Sequence, residues 1–230
     1  MLGLFLLHVN QFATNTLAAV TPGLTLNFWD LAMKGGVVMI PILLLSIIGI
    51  YIFGDRYFAI QKASKIDPNL MLQIRQNILE GKIDSALAIC KSNNQPITRM
   101  IEKGIKRIGR PLNDVNAAIE NVGSMEISKL EKGLPVLASV AGGAPMLGFL
   151  GTVTGMIRAF YNMANAGNNI DITLLSSGIY EAMVTTVAGL IVGIVAYFAY
   201  NIIVAKVETV VFKMETTTTD FMDLLNEPAS

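Results

Sequence analysis

Between Asp171 and Lys206 lie thirty-four residues, ITLLSSGIYEAMVTTVAGLIVGIVAYFAYNIIVA, and one of them, Glu181, is charged. About 20 apolar residues suffice to cross a bilayer as a helix. Inside lipid every backbone polar group must be satisfied within the segment, which leaves the helix as the form such a run takes. A carboxylate in that setting costs about 2.5–3.5 kcal/mol on insertion scales. A group kept at that cost faces a bundle interior, a water path or a partner, so Glu181 reads as a site for protons, ions or a counter-charge.

Two further runs carry no charge. Residues 35–54, GGVVMIPILLLSIIGIYIFG, form a first span with Pro41 inside it, and residues 133–157 form a second, bounded by Lys132 and Arg158. The second span is rich in small residues. Gly148, Gly151 and Gly155 sit one turn apart, the spacing that lets helices approach closely in lipid, and Pro145 is expected to distort the helix. The composition agrees with a membrane protein that has a soluble part: 53% hydrophobic and 15% charged, against about 25% charged for soluble domains. The expected class is an all-α integral membrane protein with three transmembrane helices, a helical cytoplasmic insert, and long helices extending into the cytoplasm.

The expected boundaries are an N-terminal periplasmic or interfacial segment over 1–34 and span 1 over 35–54. A cytoplasmic helical domain covers 55–132, span 2 covers 133–161 and a periplasmic loop 162–171. Span 3 covers 172–205 and a cytoplasmic tail 206–230. Residues 1–20 are apolar but interrupted by polar residues and lack a basic start. The composition around Ala18-Ala19 suits a cleavage site, yet a helix lying in the membrane surface is the preferred reading. Trp29 suits the membrane–water interface or local packing. In the insert, Asp67-Pro68 opens a helix as N-cap and first residue. A second helix starts at Asp84, a third runs from Ile97 to Ile108, and a fourth opens at Asn113-Asp114 and runs on through Leu130 into the second span.

Thirteen of the seventeen Lys and Arg residues lie in 56–132 and none in 162–171. The positive-inside bias therefore places the insert and Lys206/Lys213 in the cytoplasm, and the N-terminus and the 162–171 loop outside. The cluster Lys103, Lys106, Arg107 and Arg110 is a solvated helix face or a contact for anionic headgroups. Zero net charge gives no case for nucleic acid. The single Cys90 and single His8 make neither an intramolecular disulfide nor a metal site, and no cofactor is implied. No nucleophile–base set suggests an enzyme, and no inverted repeat suggests a secondary transporter.

Around Glu181 the inventory is a carboxylate plus hydroxyls. Thr185 is one turn on and shares its face, Thr186 is rotated away by about 140°, and Thr152 and Thr154 lie on the second span. Such groups can bind a proton and hand it on. The competing reading is a structural bridge from Glu181 to Arg158, the charged residue at the outer end of the second span.

GFLGTVTGMIRAF (148–160), preceded by Ala144-Pro145, and GIYEAMVTTVAGLIVGIVAYFAYN (178–201) resemble the two signature spans of the MotA/TolQ/ExbB proton channel family. Length and three spans resemble ExbB and TolQ more than MotA. The resemblance implies that Glu181 is the channel glutamate, with Thr152 and Thr186 as pore-facing hydroxyls and Thr185 as second choice beside Glu181. It implies a homopentamer in the bacterial inner membrane, in contact with lipids, around an ExbD-like single-span subunit that supplies a membrane aspartate. A TonB-like protein would be energised for outer-membrane import. The alternatives are a TolQ-like role in envelope maintenance and a non-conducting scaffold in which Glu181 is a salt bridge. Residues 1–34 depart from the family pattern.

Overall fold

The computed structural model describes residues 35–65, 68–165 and 172–226. The readings placed on residues 1–34, including Trp29, on the Asp67 cap, on most of the 162–171 loop and on residues 227–230 lie outside them. Within the described residues every regular element is a helix: α1 Met39–Ser64, α2 Pro68–Leu79, α3 Ile83–Ser92, α4 Pro96–Ile105, α5 Leu112–Glu131, α6 Leu134–Asn165 and α7 Ile172–Asn226. Three of the helical stretches are long and apolar enough to cross a membrane. The chain is an all-α multi-pass membrane protein.

The helices outrun the spans. Asp55 and Arg56 mark where α1 leaves the apolar run, but Arg56 and the Ala59, Gln61, Lys62 and Ala63 that follow are good helix formers, and α1 continues to Ser64. The last of them, α7, is 55 residues long, about 80 Å at 1.5 Å per residue. A hydrocarbon core of about 30 Å leaves more than half of it outside the bilayer.

Two kinds of packing follow. Outside the spans, large apolar side chains from α1 to α5 and from the far half of α7 bury one another. Ile74, Ile101, Ile119, Val210 and Phe221 are all 1% exposed or less. This is a water-soluble core, driven by removing apolar surface from water. Gly104 on α4 lets Ile119 and Phe221 close over it. The start of α4 is fixed by Pro96 at its first turn and by the reciprocal pairing of Gln95 with Thr98, whose side chain is fully buried. Arg99 on α4 clasps Glu126 on α5 with Nη1 at 3.0 and 2.9 Å from the two carboxylate oxygens, and Lys129 Nζ adds a bond at 2.6 Å. Inside the spans many large side chains point outward instead: Leu44, Phe149, Ile157, Leu190 and Phe198 are exposed, while small residues and a few large ones, Ile42, Leu137 and Val140, face inward.

The expectation that the fourth insert helix runs unbroken into the second span is corrected. A break separates α5 from α6 at Lys132–Gly133, where Gly133 adopts φ 87°. That left-handed backbone is open to glycine and strained for most other residues. The joint lies beside the point where Arg56 donates from Nη1 to the Lys129 carbonyl at 3.0 Å, and where Lys206 Nζ sits 4.9 Å from the centre of the Tyr57 ring. These contacts tie α1 to α5 and to α7 where the helices leave the spans.

Candidate functional site

The site is built on the seam between α6 and α7. Each contributes a stripe of small residues three or four apart: Ala144, Gly148, Gly151, Gly155 and Ala159 on α6, and Gly178, Ala182, Thr185, Gly189 and Gly193 on α7. The two stripes pair antiparallel. Gly178 meets Ala159, Ala182 meets Gly155, Thr185 meets Gly151, Gly189 meets Gly148, and Gly193 meets Pro145. A methyl group on Gly189 would lie 2.5 Å from the Ala144 carbonyl oxygen, and one on Gly193 would lie 2.4 Å from the Pro145 ring. The helices are thus as close as their backbones permit, and α6 continues through Pro145, whose ring packs where Gly193 has no side chain.

This close seam sets where the polar groups emerge. Near the start of α7, Glu181 extends toward α6, and Arg158 Nη1 donates to its Oε1 at 3.1 Å. The Glu181 side chain is 25% exposed and that of Arg158 57% exposed. The pair therefore sits at the edge of the three-helix contact, open on one side. A charge pair removed from bulk water is held more strongly than one at a wet surface, because the local dielectric is lower.

The turn that leads into α1 closes the other side. Gly36 adopts φ 63° and lies so near Glu181 that a methyl group on it would stand 1.9 Å from Oε1. Gly35 is buried, and a methyl group there would come within 3.5 Å of the Thr185 methyl. Sequence reasoning missed these two glycines. Their visible signal was a Gly-Gly pair at the mouth of an apolar run, which also fits a helix start with no further role.

The hydroxyls are placed as follows. Thr185 is 1% exposed, packs on Gly151, and donates to the Ala182 carbonyl at 2.8 Å. Thr186, half-buried, donates across the seam to the Gly148 carbonyl at 3.0 Å. Thr152, also half-buried, donates to the Phe149 carbonyl at 2.6 Å, and Thr154 bonds back to Leu150 at 2.9 Å. Each hydroxyl proton is committed to a backbone carbonyl, while each oxygen keeps capacity to accept. The face that Thr185 shares with Glu181 is the closed seam rather than an open channel wall. Among the described residues, Glu181 with Arg158 is the one ion pair between spans, and no group of His, Cys, Asp and Glu is arranged to hold a metal.

Three helices long and apolar enough to cross a membrane, two of them close-packed through glycine and joined by an ion pair, define a helical multi-pass membrane protein. Residues 92–216 match the MotA/TolQ/ExbB proton channel family, and the chain belongs to that family. It is 28% identical over 187 residues to a biopolymer transport protein ExbB homolog of Methanothermobacter thermautotrophicus, covering 81% of this chain and 66% of that one. It is 29% identical over 178 residues to a biopolymer transport protein ExbB-like 1 of Synechocystis, covering 76% and 70%. It is 31% identical over 149 residues to the Tol-Pal system protein TolQ of Pseudomonas aeruginosa, covering 59% and 64%. The matched stretch thus spans about two thirds of each relative's length.

Proposed function

We propose that this chain is the proton-channel subunit of an inner-membrane motor that couples the proton-motive force to TonB-dependent import across the outer membrane. The observation that carries the reading is a carboxylate inside α7, held from α6 by Arg158 at 3.1 Å, in spans otherwise free of acidic residues. Glu181 takes up and releases the proton. Thr152 and Thr186, with Thr185 behind them, supply oxygens along the path. The small residues Gly148, Gly151 and Gly155, with Pro145, keep α6 against α7 so that both spans can face one pore. One copy brings few polar groups, so the path is completed by other copies and by an ExbD-like single-span subunit, in a homopentamer that drives a TonB-like protein. The positive charge of the insert orients it to the cytoplasm and the N-terminus to the periplasm. The ExbB names among the relatives favour import, and the TolQ name supports envelope maintenance as the second use.

The Arg158–Glu181 bond also favours a second reading, a scaffold in which the pair only fastens two spans. The two readings part on Glu181→Gln in the full-length chain with its partner. The channel reading expects the variant to assemble with the native subunit number by native mass spectrometry and to lose proton uptake into vesicles. Full uptake by E181Q sinks it. In the scaffold reading, the exchange of charges in the E181R/R158E double variant restores function; in the channel reading the double variant assembles and does not conduct.

A further inference from the structure

Among the described residues, Glu181 is in contact with two elements besides its own helix. Arg158 reaches it from α6, and the backbone of the turn before α1 presses on the same oxygen. That turn is sharp: Gly36 has φ 63°, and its carbonyl accepts from the Met39 amide at 3.2 Å as the helix begins. The nearest atom to a methyl group built on Gly36 is Glu181 Oε1 at 1.9 Å, followed by the carboxyl carbon at 2.9 Å. No such contact can exist, so a side chain there forces one of the two to move. The carboxylate is the tip of a flexible side chain and is the one that yields. Oε1 is also the oxygen that accepts from Arg158. Displacing it breaks that bond while leaving the helix backbones where they are.

We propose that the Gly35–Gly36 turn is a positioning element for the Glu181 carboxylate, holding it on Arg158. This rests on the reading of Glu181 as the proton group and adds a control on it that comes from the first span rather than from the two signature spans. Gly35 is buried under the Met39 side chain, with the Thr185 methyl just beyond, and the missing side chain of Gly36 leaves room for the carboxylate. Movement of α1 against α7 would then release Glu181 from Arg158 without any change in the α6–α7 seam. The charged group facing the carboxylate from α6 is Arg158, and from the entrance of α1 the contact is backbone.

The test uses the full-length chain in vesicles, with Gly36→Ala, Gly36→Asn and, as control, Gly133→Ala. Asparagine tolerates the left-handed backbone better than alanine, so G36N keeps the question open should G36A fail to assemble. Gly133 shares the positive φ, but its nearest contact is Ile52 at 3.4 Å, so G133A carries backbone strain alone. The infrared carboxyl band that Glu181→Gln removes should shift in G36A and G36N and stay in place in G133A. Proton flux in G36N should fall by at least about tenfold, since misplacing a reacting group by about an ångström costs that much or more. Arg158→Gln should add little in the G36N background, whereas independent effects would multiply. An unshifted band in G36N, or losses that multiply with R158Q, overturns the proposal. The band reads the carboxylate whether or not it conducts. Proton flux through E181Q would therefore overturn the channel reading, and an unshifted band only this one.

Discussion

The Thr186 hydroxyl donates to the Gly148 carbonyl at 3.0 Å, from the third span to the second. Gly148 makes this possible: a methyl group there would stand 3.1 Å from the Thr186 Cα and 3.0 Å from the Thr185 carbonyl oxygen. The hydroxyl thus has a structural duty, and any part in proton movement comes from its remaining acceptor capacity. Thr186→Val should lower thermal stability only modestly, by about 0.6 kcal/mol and at most about 1.7, the range for interhelical hydrogen bonds in membranes. Thr186→Ser should keep it. If T186V loses proton flux far beyond that stability change while T186S retains it, the oxygen serves the path. Equal flux in the two would assign Thr186 to packing alone.

How far the chain could be read beforehand depended on distance. The spans were legible because three long apolar stretches, two without charge and one with Glu181 alone, have only one stable form in lipid, and the helical insert because its apolar residues recur at 3–4 residue spacing. The small-residue stripe of α6 was legible for the same reason. The break at Gly133 was missed although Gly133 followed by Pro135, just after Glu131 and Lys132, is a helix-stop signal; the helical spacing on either side was read as continuous. Helical rotation placed Thr185 on the face of Glu181, but it could not say that this face is the closed seam, because that depends on which helix packs there. The contact of Gly36 with Glu181 joins the first span to the third and has no periodic signature at all.

Gly189 should be among the least tolerant positions in the spans. An alanine methyl would lie 2.5 Å from the Ala144 carbonyl oxygen and 2.9 Å from the Gly148 Cα. Both are backbone, so neither can swing away and the helices must part. Overpacking of this kind costs about 1–3 kcal/mol. Gly189→Ala should therefore lower the Tm in detergent and weaken subunit assembly. Gly142→Ala is the matched control, because nothing lies within 4 Å of a methyl group there. A G189A protein as stable as G142A would show that the seam is looser than its geometry.

Cys90 should be inert in the folded protein. It is 2% exposed in the insert core, and burial, with the nearby Glu102 charge adding to it, pushes its thiol up to about 11. At pH 8 roughly one molecule in a thousand then carries the reactive thiolate, against about a quarter for a free cysteine. Maleimide labelling at pH 8 should track unfolding by denaturant rather than incubation time. Rapid labelling of native protein would mean that the α3 region opens without global unfolding.

Acid should loosen the insert through Glu126. Burial raises its carboxyl, but hydrogen bonds from Lys129 and Arg99, together with their charges, outweigh that and hold it below the ordinary 4.5. A depressed folded value means that the carboxylate stabilises the fold fully above the unfolded pKa. That contribution is lost as pH falls from there through the folded value. Stability of the insert should therefore be flat from pH 7 to about 5 and decline below about 4.5. Glu126→Gln should cost about 1.5 kcal/mol at pH 7, the low end for hydrogen bonds to charged groups, because Arg99 is 38% exposed and can turn to water. It should also flatten the acid limb, since the group that titrates there is gone. Chemical unfolding followed by circular dichroism at pH 7, 5 and 4 measures both. An E126Q protein with the wild-type acid slope would move the acid sensitivity to another carboxylate and leave the Arg99–Glu126 clasp with no part in it.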